Sequence, residues 1–391
     1  MTSVITGIAR TPIGRFGGVF TELSAVELGR AAISSALQRS GVPPEHIDEV
    51  QFGHVIGAGA GQITSRQAAV AAGIPMTVPA TTVNKVCLSG MSAIAAADRA
   101  VRLEESTFVV AGGMESMTNA PYLLPKGRYG YRMGDGDVID AMTHDGLWCS
   151  FDHCTMGESS DIKNKILGIE RLEQDQWSAR SHARALEATT GGAFSTEVVP
   201  VTVPQRRGDP VEVDRDEGMR HTDARSLGEL HPAFTPEGTI TAGNASQISD
   251  GAAAVVVADR DAAAAAGVPA LAEIVAYGQI AGPDATLHER PAEAIRLALK
   301  RAELDISDLA LVEINEAFAA VALWSSRMLD LSPDRVNVHG GAVALGHPLG
   351  ATGARLVVAL VNALIQRGGG YGGAALCGGG GQGDALIVKV E

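Results

Sequence analysis

Short apolar runs alternate with segments of helical periodicity in the first third of the chain. Apolar runs of about four to eight residues are typical of buried strands, and apolar positions spaced three or four apart predict amphipathic helices. On this pattern we expect strands at residues 4–8, 49–56 and 107–111, and helices at 25–41 and 88–105.

The last third of the chain repeats this alternation. Apolar strands that alternate with helices indicate α/β units whose sheets are covered on both faces. Two similar stretches suggest a duplicated fold, although their sequences are only weakly similar. We expect strands at residues 270–277, 309–314, 374–376 and 385–390, and helices at 290–302, 316–329 and 351–366.

The segment of residues 119–243 breaks the pattern. It is rich in Gly, Asp, Met and charged residues, and it contains one clear helical stretch at residues 174–188. An excursion of this length inside a compact unit usually has a function. We therefore predict an inserted subdomain that covers the site or binds substrate.

The composition narrows the class of protein. A chain of 391 residues is expected to form two or three packed units, and 46% hydrophobic residues are typical of a globular protein. A formal net charge of −14 argues against a nucleic-acid partner, which requires a basic face. Arg206, Arg207, Arg215 and Arg220 form a local basic cluster that fits either a bound phosphate or a solvated loop.

The cysteines and the chain ends bear on the compartment. Cys87, Cys149, Cys154 and Cys377 show no spacing typical of a disulfide framework, which indicates a reducing environment. The first residues lack the apolar core of a signal peptide, the last residues are no peroxisomal address, and no run of about 18 apolar residues predicts a membrane span. We expect a cytoplasmic protein.

Cys87 is a candidate nucleophile. It stands just before the predicted helix at residues 88–105, and the positive end of a helix dipole lowers the pKa of a thiol. The alternative is a buried cysteine packed as a small hydrophobic residue. A second cysteine, Cys377, opens the glycine run 378–383, so one thiol could serve as nucleophile and the other as base.

Three further features complete the candidate site. His347 lies between Gly346 and Pro348, on a stiff loop that leads into a helix. The glycine run 378–383 is followed by a predicted strand rather than a helix, so it suits an oxyanion better than a phosphate. Asn315 is either a catalytic group or a cap on the helix that follows it.

Other chemistries are poorly supported. His144, Cys149, His153 and Cys154 lack the spacing of a zinc site, so we expect no metal. The glycines at residues 57–61 lack a ribose-binding acid about twenty residues on, and no GxSxG elbow is present. We expect no cofactor.

At these residues the sequence resembles the thiolase family, and within it the acetyl-CoA acetyltransferase branch. The resemblance covers the whole chain through separate motifs in the family's order. They are residues 8–14, the Cys87 segment at 84–90, Gly112-Gly113-Met114-Glu115-Ser116-Met117, residues 241–246, Asn315-Glu316-Ala317-Phe318, Gly346-His347-Pro348 and Cys377 with its glycines.

The resemblance implies a duplicated fold of five αβαβα layers with an inserted loop domain. The expected division is an N-terminal half of residues 1–118 plus 244–268, a loop domain of residues 119–243 and a C-terminal half of residues 269–391. Because family members are dimers or dimers of dimers, we expect a homotetramer.

The resemblance also implies the chemistry: condensation of two acetyl-CoA to acetoacetyl-CoA and CoA. Cys87, activated by His347, becomes acetylated, and Cys377 removes the α-proton of the second acetyl-CoA. His347 and a water held by Asn315 stabilise the enolate. The backbone N–H groups of Cys87 and Gly379 stabilise the tetrahedral intermediate.

Substrate contacts follow from the same resemblance. Leu147, Met156 and Ser246 are expected along the pantetheine channel, Phe318 near the acyl end and Arg220 at a CoA phosphate. Leu, Met and Phe are also common core residues, and Ser246 could cap a helix from residue 248. Many bacterial relatives have histidine where this chain has Thr155, so that contact is expected to be altered or mediated by water.

Three rivals remain open. A longer-chain 3-ketoacyl-CoA thiolase has the same groups. A ketoacyl carrier-protein synthase uses one cysteine with two histidines, which does not match Asn315 and Cys377. A catalytically silent CoA- or lipid-binding relative belongs to another functional class.

Overall fold

The computed structural model describes residues 1–391 and contains sixteen strands and eleven helices. The strands are β1 Ser3–Arg10, β2 Gly14–Arg15, β3 Glu49–Gly53, β4 Ala80–Val83, β5 Phe108–Ser116, β6 Tyr122–Leu123, β7 Ile139–Asp140, β8 Trp148–Cys149, β9 Cys154–Thr155, β10 Val201–Val203, β11 Val211–Val213, β12 Ser249–Asp259, β13 Ala272–Ala281, β14 Leu309–Ile314, β15 Gly370–Gly378 and β16 Gln382–Val390. The helices are α1 Ala25–Ser40, α2 Thr64–Ala71, α3 Ser89–Arg102, α4 Met156–Leu167, α5 Arg171–Thr190, α6 Ala224–Gly228, α7 Arg260–Ala265, α8 Arg290–Ala302, α9 Ala319–Met328, α10 Ala342–Leu345 and α11 Leu349–Arg367.

Ten strands form one mixed sheet in the order β14-β15-β16-β13-β1-β12-β5-β3-β4, with β2 paired to β12. The strands β3, β4 and β5 are parallel, as are β14 and β15. The N-terminal and C-terminal parts of the sheet join only where β1 meets β13, through the pairs Val4–Glu273 and Ile5–Ala272. The large sheet therefore consists of an N-terminal and a C-terminal region that are joined by only these two residue pairs.

Three clusters of buried apolar side chains define the layers. Successive residues of a strand face opposite sides of a sheet, so Val256 of β12 packs with α1 while its neighbour Val255 faces α3 and α11. In β16, Val388 faces these same central helices and Ile387 faces α8. Helices α3 and α11 thus lie between two sheet faces, which confirms the five-layered αβαβα fold.

Helix α11 is apolar because both of its sides are covered. It is long and apolar enough to cross a membrane, with a mean hydropathy of 1.5, but 89% of that window is buried in the protein. Its first turn lies very close to β5, since a Cβ on Gly113 would collide with the carbonyl oxygen of Gly350. Only glycine at position 113 allows this approach, which places the loop before α11 at the sheet.

Residues 119–243 contribute no strand to the large sheet. They form three two-stranded hairpins, β6–β7, β8–β9 and β10–β11, together with α4, α5 and α6. The predicted helix at 174–188 is α5, which runs from Arg171 to Thr190. The inserted character of the segment agrees with this topology, while its exact boundaries stay a prediction.

Most predicted elements are present, with shifts at functional loops. The helix expected from residue 316 begins at Ala319, because Phe318 adopts an extended conformation and bridges to Ala245. The strand expected to reach residue 56 ends at Gly53. After β3 the backbone N–H groups of Val55 and Ile56 donate to Glu115, and after β14 Ala317 and Phe318 line the cavity described next.

Candidate active site

One cavity of about 310 Å³ lies where the two halves and the inserted segment meet. It contains eight of the ten residues predicted from sequence, and most of its 22 lining residues are hydrophobic. The predicted residues that line it are Cys87, Leu147, Met156, Ser246, Phe318, His347, Cys377 and Gly379.

The other two predicted residues lie outside the wall. Asn315 is fully buried directly behind it and contacts His347. Arg220 is exposed, and its backbone N–H donates to Nδ1 of His182 on α5 at 3.4 Å. The structure therefore does not bring Arg220 into the cavity lining, and its phosphate contact gains no support.

A tight turn presents Cys87 to the cavity. Val86 has a φ of +51°, which is rare for a β-branched residue. Two bonds hold this turn: Val86 N–H donates to Oδ1 of Asn84 at 3.1 Å, and Lys85 N–H donates to Oγ of Ser89 at 2.8 Å. Helix α3 then begins at Ser89, so Cys87 does precede a helix as predicted.

The expected lowering of the Cys87 pKa is wrong for the free protein. Burial raises the pKa of this thiol to about 12, and the charge of Glu115 adds to the rise. Bonds from the backbone N–H groups of Cys87 and Gly379 oppose it without reversing it. Loss of hydration outweighs the helix terminus, so Cys87 rests as a neutral thiol.

The loop before α11 fixes the position of His347. Gly346 has a φ of +118°, in the region that favours glycine, and a side chain there would collide with Ser249. The backbone N–H of His347 donates to the carbonyl of Gln247 at 3.1 Å. The imidazole is thereby held between the two halves of the chain.

Thr352 determines which nitrogen of His347 carries the proton. Its Oγ1 lies 2.6 Å from Nδ1 of His347 and donates its only hydrogen to the carbonyl of Pro348 at 2.9 Å. It must therefore accept from Nδ1–H. The other nitrogen, Nε2, is left unprotonated and faces Nδ2 of Asn315 at 3.4 Å.

His347 is an uncharged acceptor. Burial, followed by the positive charge of Arg355, lowers the pKa of His347 to about 3. A neutral imidazole beside a neutral thiol means that the proton moves during nucleophilic attack, not before it. This arrangement suits a general base.

Cys377 is the second-to-last residue of β15 and is 1% exposed. The following glycines form a strand-to-strand turn into β16, as expected, with φ values of +76° at Gly380 and +69° at Gly381. Burial, and then the nearby Cys87, raise the pKa of the Cys377 thiol. Both thiols thus keep their protons at rest.

Asn315 is not a helix cap, because α9 begins at Ala319 with Phe318 at its N-cap. Its backbone N–H donates to the carbonyl of Ala375 at 2.9 Å. Its side-chain Oδ1 is buried and has no protein partner. A fixed, unsatisfied acceptor is what a bound water requires, in agreement with the predicted role.

The residues predicted to contact substrate have different structural roles in the folded chain. Ser246 caps no helix, because β12 begins at Ser249, and its N–H donates to the carbonyl of Ala317 at 3.1 Å. Phe318 and Met156 pack in an apolar cluster and also line the cavity, so their role in packing is observed and their contact with substrate stays a prediction. Thr155 lines the cavity, but its Oγ1 accepts from Glu158 N–H at 3.2 Å as the cap of α4.

Sequence reasoning missed Glu115. This buried carboxylate accepts from the N–H groups of Val55 and Ile56 at 3.1 Å and of Gly350 at 2.9 Å. Burial raises its pKa to about 7. It ties the loop after β3 to the start of α11, beside His347. The signal in the sequence was this acidic residue within the otherwise mostly apolar strand β5.

Glu316 was also missed as a positioning residue. Its carboxylate accepts from Nε1 of Trp177 at 2.8 Å and from Oγ of Ser181 at 2.7 Å, both on α5. It also accepts from the N–H of Val343 at 3.0 Å, near the His347 loop. One acid thus fixes the inserted segment against the catalytic loops.

No group of three or more His, Cys, Asp or Glu is arranged to hold a metal ion. Of the residues considered for zinc, Cys149 and Cys154 pair across the hairpin β8–β9 as free thiols.

Comparisons with known proteins agree with the fold and the cavity. The family described as Thiolase, N-terminal domain matches residues 3–261, and Thiolase, C-terminal domain matches residues 268–390. The chain is 53% identical over 389 residues to a probable acetyl-CoA acetyltransferase of Mycobacterium tuberculosis, covering 99% of each. It is 45% identical over 388 residues to acetyl-CoA acetyltransferase 2 of Arabidopsis thaliana, covering 99% of this chain and 96% of that one.

A solved structure is similarly close. The crystal structure of the Bacillus anthracis acetyl-CoA acetyltransferase superposes with a TM-score of 0.97 at 41% identity, over 100% of this chain and 99% of that chain. Fold and cavity together define an α/β enzyme in which both halves contribute to one site. The chain belongs to the thiolase family, as the sequence motifs indicated.

The pKa of Cys87 generates a pH prediction. Iodoacetamide alkylation of Cys87 in the free protein should accelerate about tenfold per pH unit between about pH 7 and 10, because the thiolate is the reactive species and the pKa is raised to about 12. Peptide mass spectrometry that separates Cys87 from Cys154 measures the rate. A short unstructured peptide with one internal cysteine, whose thiol has an ordinary pKa of about 8.5, should begin to level off in the same range. A plateau for Cys87 below about pH 9 would show that the helix terminus outweighs burial.

Proposed function

We propose that this chain is an acetyl-CoA C-acetyltransferase that catalyses the reversible condensation of two acetyl-CoA to acetoacetyl-CoA and CoA. The observation that carries the proposal is that Cys87, Cys377 and His347 line one apolar cavity. The relatives that match over nearly the full length are named acetyl-CoA acetyltransferases, which supports the choice of substrate. The catalytic groups belong to the chain itself, so we propose that no cofactor takes part.

The first step transfers an acetyl group. The Cys87 sulfur attacks the thioester carbonyl as its proton passes to Nε2 of His347. The bond to CoA sulfur then breaks, and the departing thiolate takes the proton of Cys377. The raised pKa of Cys377 suits this step, because a thiol that keeps its proton at rest can supply it.

The second step forms the carbon–carbon bond. The Cys377 thiolate removes the α-proton of a second acetyl-CoA, and the enolate oxygen is stabilised by protonated His347 and a water on Asn315. The enolate carbon attacks the acetyl carbonyl on Cys87, and the resulting oxyanion is stabilised by the backbone N–H groups of Cys87 and Gly379. Each such donor is worth about 3 kcal/mol. Cys87 then leaves as a thiolate and recovers its proton from His347.

Mass spectrometry tests the division of labour. Incubation with acetyl-CoA should place an acetyl group on the peptide of Cys87. The variant Cys377→Ala should still be acetylated, because the CoA thiolate can leave into solvent, but its condensation rate should fall by about 10²-fold or more. Cys154→Ala is the control and should keep full activity. An acetyl group on Cys149 or Cys154, or undiminished condensation by Cys377→Ala, contradicts the assignment.

Chain length separates the proposal from its nearest rival. The cavity wall includes Phe234, Leu287 and Phe318, an apolar surface that would also suit the longer chain of a 3-ketoacyl-CoA thiolase. We expect kcat/KM for thiolysis of acetoacetyl-CoA to exceed that of 3-ketodecanoyl-CoA by about tenfold, roughly 1.4 kcal/mol of transition-state binding. The reverse order would identify the longer-chain enzyme. Protection of Cys87 by acetyl-CoA without any turnover would identify a silent CoA-binding relative.

We further propose a cytoplasmic homotetramer. The four cysteines are free thiols, which fits a reducing compartment. The inserted segment exposes several large apolar side chains, a surface typical of an interface. These side chains are Tyr122 (70% exposed), Leu124 (59%), Tyr129 (89%), Met133 (98%) and Phe151 (73%).

The oligomer proposal predicts a change of mass. The double variant Tyr129→Asp/Met133→Asp should sediment as a dimer where the unmodified protein sediments as a tetramer, because charge opposes burial of this surface. Leu103→Asp, at a site that is 68% exposed on another part of the molecule, is the control. Equal sedimentation of the unmodified protein, the double variant and the control would show that Tyr129 and Met133 do not lie in a contact between subunits.

A further inference from the structure

Only noncovalent contacts set the distance between the Cys87 and Cys377 sulfurs, because the two cysteines come from different halves. The apolar contacts are close: the side chain of Leu88 fills the space beside Gly378, and Val86 lies against Gly379. Apolar contacts are not directional. They resist separation of the two loops but allow one loop to slide along the other.

A buried ion pair joins the same two loops. Nζ of Lys85, two residues before Cys87, lies 2.7 Å from Oδ1 of Asp384. Oγ of Ser92, on α3, donates to the other carboxylate oxygen at 2.8 Å. Asp384 pairs with Leu376 across the hairpin, one position before Cys377. Its side chain is 0% exposed and that of Lys85 is 17% exposed.

The pair acts where the backbone is strained. Lys85 immediately precedes Val86, whose positive φ is unfavourable for a β-branched residue and persists only where neighbouring contacts hold it. Charge-assisted hydrogen bonds are short and directional, so they oppose sliding as apolar contacts do not. The carboxylate of Asp384 therefore holds the nucleophile turn and the base-bearing hairpin in register.

We propose that Lys85 and Asp384 are positioning residues whose ion pair sets the separation of the Cys87 and Cys377 sulfurs. The inference rests on the proposed function, because the bond-forming step places substrate between both sulfurs at once. Attack by Cys87 depends mainly on His347. Loss of the pair should therefore affect condensation more than acetylation.

Crosslinking measures the sulfur separation without substrate. 1,3-Dibromoacetone alkylates one thiol and then bridges to a second within reach, and mass spectrometry gives the ratio of bridged to singly alkylated protein. We expect a mainly bridged product from the unmodified protein and an at least fivefold lower ratio from Lys85→Met and from Asp384→Asn. Unchanged ratios in both variants overturn the proposal.

Kinetics provide a second readout that a merely structural role would not produce. In Lys85→Met and Asp384→Asn the condensation rate should fall at least tenfold, while the rate of Cys87 acetylation falls less than threefold. Lys85→Arg keeps the charge and should restore most of the condensation rate. A proportional loss of both rates overturns the proposal.

Lys163→Met is a matched control. Lys163 also forms a 2.7 Å ion pair, with Glu289, and is 14% exposed, but its partner lies in neither catalytic loop. It should keep the bridged ratio of the unmodified protein.

Ser92→Ala is a milder variant for the case that the Lys85 and Asp384 variants do not fold. It removes a single hydrogen bond to Asp384 and should lower the bridged ratio about twofold. An unchanged ratio in this variant overturns the proposal. If unmodified Cys87 is never acetylated, the proposed function fails, while the crosslinking ratio still decides the positioning role.

Discussion

The burial of Cys377 and His347, together with the partial burial of Cys87, is the constraint on which this structure depends. Burial raises the pKa values of Cys87 and Cys377 and lowers that of His347, so all three groups rest uncharged. No proton has to be expelled to solvent in the proposed cycle. The protons pass among Cys87, His347, Cys377 and the substrates, and charge arises only as opposite pairs within the cavity.

The fold supplies this burial by bringing two α/β halves together around α3 and α11. Close backbone approach at Gly113 and Gly350 sets the first turn of α11, which follows the His347 loop, against β5. Buried carboxylates then fix the loops: Glu115 holds the start of α11, and Glu316 holds the inserted segment to the C-terminal half. Each accepts several backbone or side-chain hydrogens, which offsets the cost of burying the group.

The alternation of apolar runs was enough to predict the two α/β stretches, the segment between them and most of the large strands and helices. It missed β12, the longest strand of the sheet, and helix α4. Glycine-bearing loops singled out Cys87, His347 and Cys377 as candidates, and the resemblance to the thiolase family implied that they share one site. The direction of the Cys87 pKa shift could not be read this way, since it depends on burial by segments distant in sequence. The contact of Lys85 with Asp384 spans 299 positions and leaves no local pattern. The role of Thr352 depends on a single hydroxyl proton that only the folded loop assigns.

The central claim is that the two thiols have different tasks, and hydrogen exchange at the α-carbon of acetyl-CoA tests it most directly. In deuterated water, the unmodified protein should incorporate deuterium into the methyl group of acetyl-CoA, because acetylation of Cys87 leaves Cys377 as the thiolate base. A Cys377→Ala protein should not do so above the uncatalysed rate. Its Cys87 should nevertheless become acetylated. Exchange at the unmodified rate in Cys377→Ala would contradict the assignment of Cys377 as the base.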